Sequence, residues 1–154
     1  MGTASTLRIR DAVPADLPAI IDLLADDVLG RAREAATVDP AYARAFHAIE
    51  QDPNHRLLVA EQDERIVGCF QLTYLPGLSR GGAWRAQIES VRIAAPVRGG
   101  GIGATMMRWA VERARERGCA LVQLTTDKRR PDAHRFYRRL GFEASHEGMK
   151  LMLR

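Results

Sequence analysis

Gly99, Gly100 and Gly101, followed at one remove by Gly103, stand between a strand-like stretch and a long helical one. Upstream, Gln87-Ile88-Glu89-Ser90-Val91-Arg92-Ile93 alternates polar and β-branched residues, the pattern of a strand. Downstream, Ile102, Met106, Ala110 and Ala114 recur every four positions, and Met107 and Val111 widen the stripe into that of an amphipathic helix. A strand, a glycine turn and a helix start, in that order, gather free backbone N–H groups and the positive end of a helix dipole at one spot, which suits a phosphate. Glycine is needed there because a Cβ would block the approach of an anion and because tight turns use positive φ. A glycine run taken alone is most often a plain turn; its position against a strand and at a helix start favours an anion site.

Three phosphate-binding patterns compete for this run. A P-loop needs Gly-Lys followed by Ser or Thr, and Gly103-Ala104-Thr105 has no lysine. A dinucleotide fingerprint fits loosely as Gly99-x-Gly101-x-x-Ala104, with Asp127 after the next strand as ribose ligand. The third pattern is Arg-x-x-Gly-x-Gly, met by Arg98, Gly101 and Gly103. The residues that follow decide between the last two. The helix closes in Arg115-Glu116-Arg117-Gly118, a basic last turn and a glycine stop, and Cys119-Ala120-Leu121-Val122-Gln123-Leu124 reads as an apolar strand. Pro131 then opens a helix in which Ala133, Phe136, Tyr137 and Leu140 share one buried face, with Gly141 as its cap. A dinucleotide domain predicts further βαβ repeats at this point, and only a short strand pair remains.

The Arg-x-x-Gly-x-Gly loop together with Phe136-Tyr137-x-x-Leu140-Gly141-Phe142 resembles the GNAT acyltransferase superfamily. The motifs are specific from about residue 83 to 142, and the first half agrees in layout. Residues 7–10 alternate as a strand; Leu17, Ile20, Ile21 and Leu24 form a helical stripe; Pro40 opens a second helix with Tyr42, Ala45, Phe46 and Ile49. A hairpin is predicted around Gln62-Asp63-Glu64-Arg65. The resemblance implies a mixed α/β (α+β) fold: a central, mostly antiparallel mixed sheet with one parallel splayed strand pair, about four flanking helices and a further C-terminal strand.

At 154 residues the chain is expected to be one domain, 1–154, with 1–6 a disordered tail. No apolar stretch approaches the roughly 20 residues of a membrane span, and no signal-peptide pattern opens the chain. Cys69 and Cys119 read as reduced, packed thiols of a cytoplasmic protein, and the four histidines show no metal-ligand spacing, so no metal is expected. Arginines cluster on the Arg108–Arg117 helix, where pairs such as Arg108–Glu112 explain most of them, and again from Lys128 to Arg139. The second cluster suits the charged end of coenzyme A. Nucleic-acid binding is not expected, because it wants aromatic side chains interleaved with basic ones on an exposed face and the chain is only 6% aromatic.

Acyl transfer from a thioester to an amine requires deprotonation of the amine, stabilisation of the tetrahedral oxyanion and protonation of the departing thiolate. The resemblance assigns the last role to Tyr137, and a phenol of unperturbed pKa about 10 holds its proton at neutral pH. Tyr137 also lies on the apolar stripe; its ring can pack while its hydroxyl reaches a cleft. Period two places Gln87, Glu89, Val91 and Ile93 on one face, barring a bulge. Where histone-acetylating members of the family carry a glutamate this chain has Gln87, so the base is Glu89, Gln87 or a bound water, and Glu89 equally suits holding an acceptor ammonium or pairing with a nearby arginine. The resemblance further implies acetyl-CoA as co-substrate, its pantetheine arm pairing with the main chain of Val91, Arg92 and Ile93. Its pyrophosphate then falls to the amides of Arg98, Gly99, Gly100, Gly101, Ile102, Gly103 and Ala104, with the Arg98 side chain as an added contact. Direct attack by the amine in a ternary complex follows, without an acyl-enzyme.

The resemblance implies a small-molecule or peptide amine as the acceptor. Asp26 and Asp27 can attract a cation or simply end a helix, and Trp84 can wall a cleft or pack. The alternative to an enzyme is a non-catalytic acyl-CoA sensor on the same fold. Homodimers are common in the family, though no interface is legible in the chain.

Overall fold

The computed structural model describes residues 5–26 and 39–154. Residues 1–4 of the expected tail, and Asp27 of the acceptor region, lie outside the described residues. Two compact units are present, divided between Gln123 and Leu124.

The first unit is built on a sheet ordered β1-β2-β3-β4-β5. Its strands are β1 (Arg8–Asp11), β2 (His55–Gln62), β3 (Arg65–Leu75), β4 (Arg85–Ile93) and β5 (Leu121–Leu124). The first four pair antiparallel and β5 runs parallel to β4, giving the mixed sheet that was expected. Helices α1 (Leu17–Ala25) and α2 (Pro40–Gln51), the short helical turn α3 (Ser79–Gly82) and α4 (Ile102–Glu116) complete this unit. The predicted hairpin is present: Gln62 pairs with Arg65 across Asp63 and Glu64, both at positive φ, as a two-residue turn requires to match the twist of its strands.

The core lies on both faces of the sheet. One face packs Val59 and Cys69 against Ile20 and Leu23 of α1. On α4, Ile102, Met106, Met107, Ala110 and Ala114 are all buried, so the whole four-residue stripe read from the sequence faces inward. Gly68 of β3 lies directly under α4: a Cβ there would stand 2.9 Å from Met106 Sδ and 3.0 Å from the Arg92 carbonyl oxygen. The expected Arg108–Glu112 pair is replaced by Arg115 with Glu112 and Arg113 with Glu116, i,i+3 contacts on the exposed face of α4.

A charged cluster ties β1, β2 and the entrance to α1 together. Arg10 donates to Asp16 at 2.7 and 3.0 Å and to Glu61 at 2.8 and 3.1 Å. Asp16 also accepts from the Val13 amide at 2.8 Å, and the Arg10 guanidinium holds its carboxyl below the usual carboxylate range.

The second unit carries α5 (Pro131–Arg139). Gly141, at φ 95°, ends it: its amide donates to Arg138 O and that of Phe142 to Tyr137 O, the paired bonds of a left-handed helix stop. Ala133, Phe136, Tyr137 and Leu140 do share a face, half-buried rather than fully buried. The expected C-terminal strand is absent among the described residues. Phe142 opens no strand, and 143–154 runs on without regular structure.

Two outcomes follow for stability. Asp16→Asn should cost about 2 kcal/mol in urea unfolding at pH 7, the scale of a lost charge-assisted hydrogen bond. Because the native carboxyl is depressed, that contribution is complete above the unfolded value of about 3.9 and fades as pH falls below it, so the variant's stability should depend less on pH there. Gly68→Ala should cost about 1–3 kcal/mol, since the backbone oxygen of Arg92 cannot rotate away.

Candidate active site

After β4 the chain makes a short 3-10 turn (Ala95–Val97) and then the glycine run. Gly99 and Gly101 sit at φ 83° and 85°, the left-handed region, and α4 begins directly after Gly101. The hydrogen bonds can be accounted for amide by amide. Arg98 N donates to Ala95 O, Gly100 N to Val97 O, and Thr105 N makes the first helical bond, to Gly101 O. Among the described residues, no protein acceptor takes the amides of Gly99, Gly101, Ile102, Gly103 and Ala104. No side chain caps the helix either. The space above Gly99 and Gly101 is open, with no atom within 4 Å of a notional Cβ. Unpaired donors at the positive end of a 15-residue helix make a seat for a diphosphate-like anion.

The side chain of Arg98 is spent on supporting this turn. Its Nε donates to Ile93 O at 3.0 Å and its Nη2 to Asp26 O at 3.2 Å, with Asp26 Oδ2 at 3.5 Å. Asp26 therefore anchors the loop from the end of α1. A hollow of about 660 Å3, missed in the sequence because its walls come from three distant segments, opens beside it between Asp22, Leu23, Asp26, Ile66, Ala94 and Pro96.

β4 does not keep period two. Gln71 of β3 pairs with Glu89 and Cys69 with Arg92, so two steps on β3 face three on β4. Ser90, at φ 55°, takes up the extra residue as a bulge. Gln87 and Glu89 thus share a face with Arg92, while Ile93 pairs with Gly68 and turns to the other side, which corrects the expected common face. On that face a polar row crosses the sheet: Gln123 Nε2 donates to Gln87 Oε1 at 2.9 Å, and Gln87 Nε2 to Glu89 Oε1 at 2.8 Å. The row ends on the exposed carboxylate of Glu89.

Beyond Glu89, β4 outruns its neighbour. Ala120 N donates to Trp84 O at 2.8 Å, which aligns the starts of the two parallel strands, and β5 is only four residues long. Among the described residues, the main chain of Val91, Arg92 and Ile93 therefore has no strand beside it on the β5 side, an arrangement suited to an extended ligand arm.

Trp84 packs. Arg117 stacks over its ring at 5.5 Å and over Tyr74 at 4.8 Å, while donating to Asn54 Oδ1 at 2.7 Å. Trp109 of α4 likewise lies under Arg56 and Arg113, both at 5.1 Å, and edge-on to Phe70. Neither cluster has a contiguous sequence signal.

In the second unit, Tyr137 stands between Phe136 and Phe142 with ring centroids 5.0 and 5.7 Å away, both edge-to-face. Lys128, Pro131, His134, Arg135 and Arg138 line a basic hollow of about 290 Å3. Asp127, the acidic residue of the rejected dinucleotide reading, is fully engaged: Arg129 donates to it from Nε, Nη2 and the backbone and holds it well below the usual carboxylate range. Among the described residues no group of His, Cys, Asp or Glu is arranged to hold a metal, and no helix is long and apolar enough to cross a membrane.

Together, a glycine turn with unpaired amides at a helix start, a bulged strand and a short parallel neighbour suit an acyl carrier. The sequence profile described as the acetyltransferase (GNAT) family matches residues 18–142, and the chain belongs to that family. It is an acyltransferase. Aminoalkylphosphonate N-acetyltransferase of Salmonella typhimurium is 36% identical over 106 residues, 69% of this chain and 68% of that protein. Streptothricin acetyltransferase of Streptomyces lavendulae is 31% identical over 142 residues, 91% of this chain and 65% of that protein. The crystal structure of a transcriptional regulator from Bacillus halodurans C-125 superposes with a TM-score of 0.93 at 52% identity, covering 96% of this chain and all (100%) of that one.

The two thiols should differ in reactivity. Burial pushes the Cys69 thiol up to about 12; the Cys119 thiol is also raised by burial, but it is only half-buried and so open to a reagent. A chromogenic disulfide at pH 8 should titrate Cys119 alone in the native chain and both thiols after unfolding, and a Cys119→Ser variant should give no native signal.

Proposed function

We propose that the chain transfers an acetyl group from acetyl-CoA to the primary amine of a small molecule, by direct attack in a ternary complex. The observation that carries this reading is the set of acceptor-less amides at Gly99, Gly101, Ile102, Gly103 and Ala104, which seat the pyrophosphate. The main chain of Val91, Arg92 and Ile93 pairs with the pantetheine arm. Arg98 acts mainly by bracing the loop and supplies its charge nearby. The cations around Lys128 and Arg138 suit the ribose phosphate.

Glu89, held by Gln87, accepts the ammonium proton directly or through a water. The amine nitrogen then bonds to the thioester carbonyl carbon, the C–S bond breaks, Tyr137 gives its proton to the departing thiolate, and the second proton shed by the nitrogen restores the Tyr137 phenol through water. Both curated relatives are named for the acetylation of small molecules, which supports an acceptor of that size.

Thiol release across a panel of aminophosphonates, amino sugars, polyamines and peptide amines tests this. Tyr137→Phe should lower kcat by roughly 10²–10⁴ while the KM for acetyl-CoA changes little. Gly101→Val, strained at φ 85°, should instead weaken acetyl-CoA binding by roughly tenfold or more. Thermal stabilisation by coenzyme A with no thiol released from any amine would leave a binding module in place of the proposed reaction.

A further inference from the structure

β5 reads Leu121-Val122-Gln123-Leu124, three aliphatic residues and one amide. Burying an amide in an apolar strand is costly unless it is hydrogen-bonded, and Gln123 is half-buried. Its partner is set by strand register. The bond from Ala120 N to Trp84 O aligns the parallel pair, and three residues further along each strand stand Gln123 and Gln87. Gln123 Nε2 donates to Gln87 Oε1 at 2.9 Å, and Gln87 Nε2 donates to Glu89 Oε1 at 2.8 Å. All three residues belong to the first compact unit.

The direction of this row is dictated from its end. An ionised carboxylate can only accept, so Gln87 must turn its NH2 group to Glu89 and its carbonyl oxygen to β5. That oxygen then needs a donor. Thr73, opposite Gln87 on β3, is buried with its hydroxyl 3.1 Å from His55 Nδ1, so it is engaged toward β2. The donor is Gln123. Glu89 Oε2, by contrast, has no partner among the described residues. One carboxylate oxygen is tethered and the other is left open.

We propose that Gln123 is a positioning residue for acyl transfer: by donating to Gln87 it fixes which way that amide faces, and so holds Glu89 by one oxygen with the other free for the acceptor's ammonium. This role rests on Glu89 as the proton acceptor of the proposed reaction. Gln123 does not bond the carboxylate itself; it acts through the amide between them. An apolar side chain at 123 leaves that amide free to turn over, and an acceptor at 123 makes it turn. In the second case the Gln87 oxygen faces the Glu89 carboxylate, acceptor against acceptor.

Gln123→Met and Gln123→Glu, both close to glutamine in size, test this by steady-state kinetics with the most active amine of the panel and by thermal unfolding. Gln123→Met should lower kcat roughly three- to tenfold and Gln123→Glu roughly thirtyfold or more, with the KM for acetyl-CoA little changed in both. Gln123→Glu should also lower Tm by roughly 2–4 °C. That loss should vanish when Gln123→Glu is combined with Glu89→Gln, because every hydrogen bond of the row can then run in the opposite direction. Adding Gln87→Met should abolish the rescue, which separates coupling through the amide from repulsion between two distant charges. A residue that merely packs in β5 would show no such rescue. The same loss of Tm with and without Glu89→Gln overturns the proposal, as does a rescue that survives Gln87→Met or a parental kcat in both Gln123 variants. Full activity of Glu89→Gln overturns it from the other side, by removing the base; the unfolding cycle, which needs no turnover, tells that failure from a failure of the row.

Discussion

An amide that finds no acceptor is costly unless water or a ligand takes it, and the turn from β4 into α4 leaves five of them within six residues. Much of the first unit serves to keep them there. Gly99 and Gly101 take a backbone conformation that side chains resist, Arg98 pins the loop to the ends of β4 and α1, and the buried Ile102 roots the first helical turn. The stripe from Ile102 to Ala114 then fixes the axis of α4, and Gly68 lets that axis come close enough to the sheet for the dipole to point at a fixed place. The anion seat is thus a product of core packing as much as of the loop that forms it.

The bulge at Ser90 makes a second arrangement possible. Without it, Glu89 and Ile93 would look the same way, and the polar row would continue into the segment beside the loop. With it, the carboxylate and its two glutamines occupy one face while the strand rotates to offer main-chain groups farther on. One strand therefore carries both the exposed carboxylate and a stretch of main chain that the short β5 does not accompany.

Local rules were the legible part. The α4 stripe, the hairpin at Asp63 and Glu64, and the glycine stops at Gly118 and Gly141 each follow from a few neighbouring residues, and each stands where it was expected. The features that were not legible depend on residues distant in the chain. Ser90 gives no sign of positive φ, since a bulge is set by what the partner strand pairs with. Arg98 has the right identity for a phosphate, yet the carbonyls of Ile93 and Asp26 reach it first. Glu112 has arginines at both i−4 and i+3, and the helix twist with its neighbours' demands selects Arg115. A strand after Phe142 was reasonable from its apolar residues, but a strand needs an edge as well as a pattern, and sequence shows only the pattern.

The arginine stacks on Tyr74, Trp84 and Trp109 bear on how the molecule meets brine. Arg117 joins the end of α4 to the start of β4 by lying on rings and on a neutral amide, and none of those partners carries a charge that dissolved ions could shield. The carboxylate pairs along the outside of α4 have no such shelter. Rising ionic strength should therefore loosen the helix surface while the seam beneath it stays closed, a graded tolerance that follows from which atoms the guanidinium groups touch.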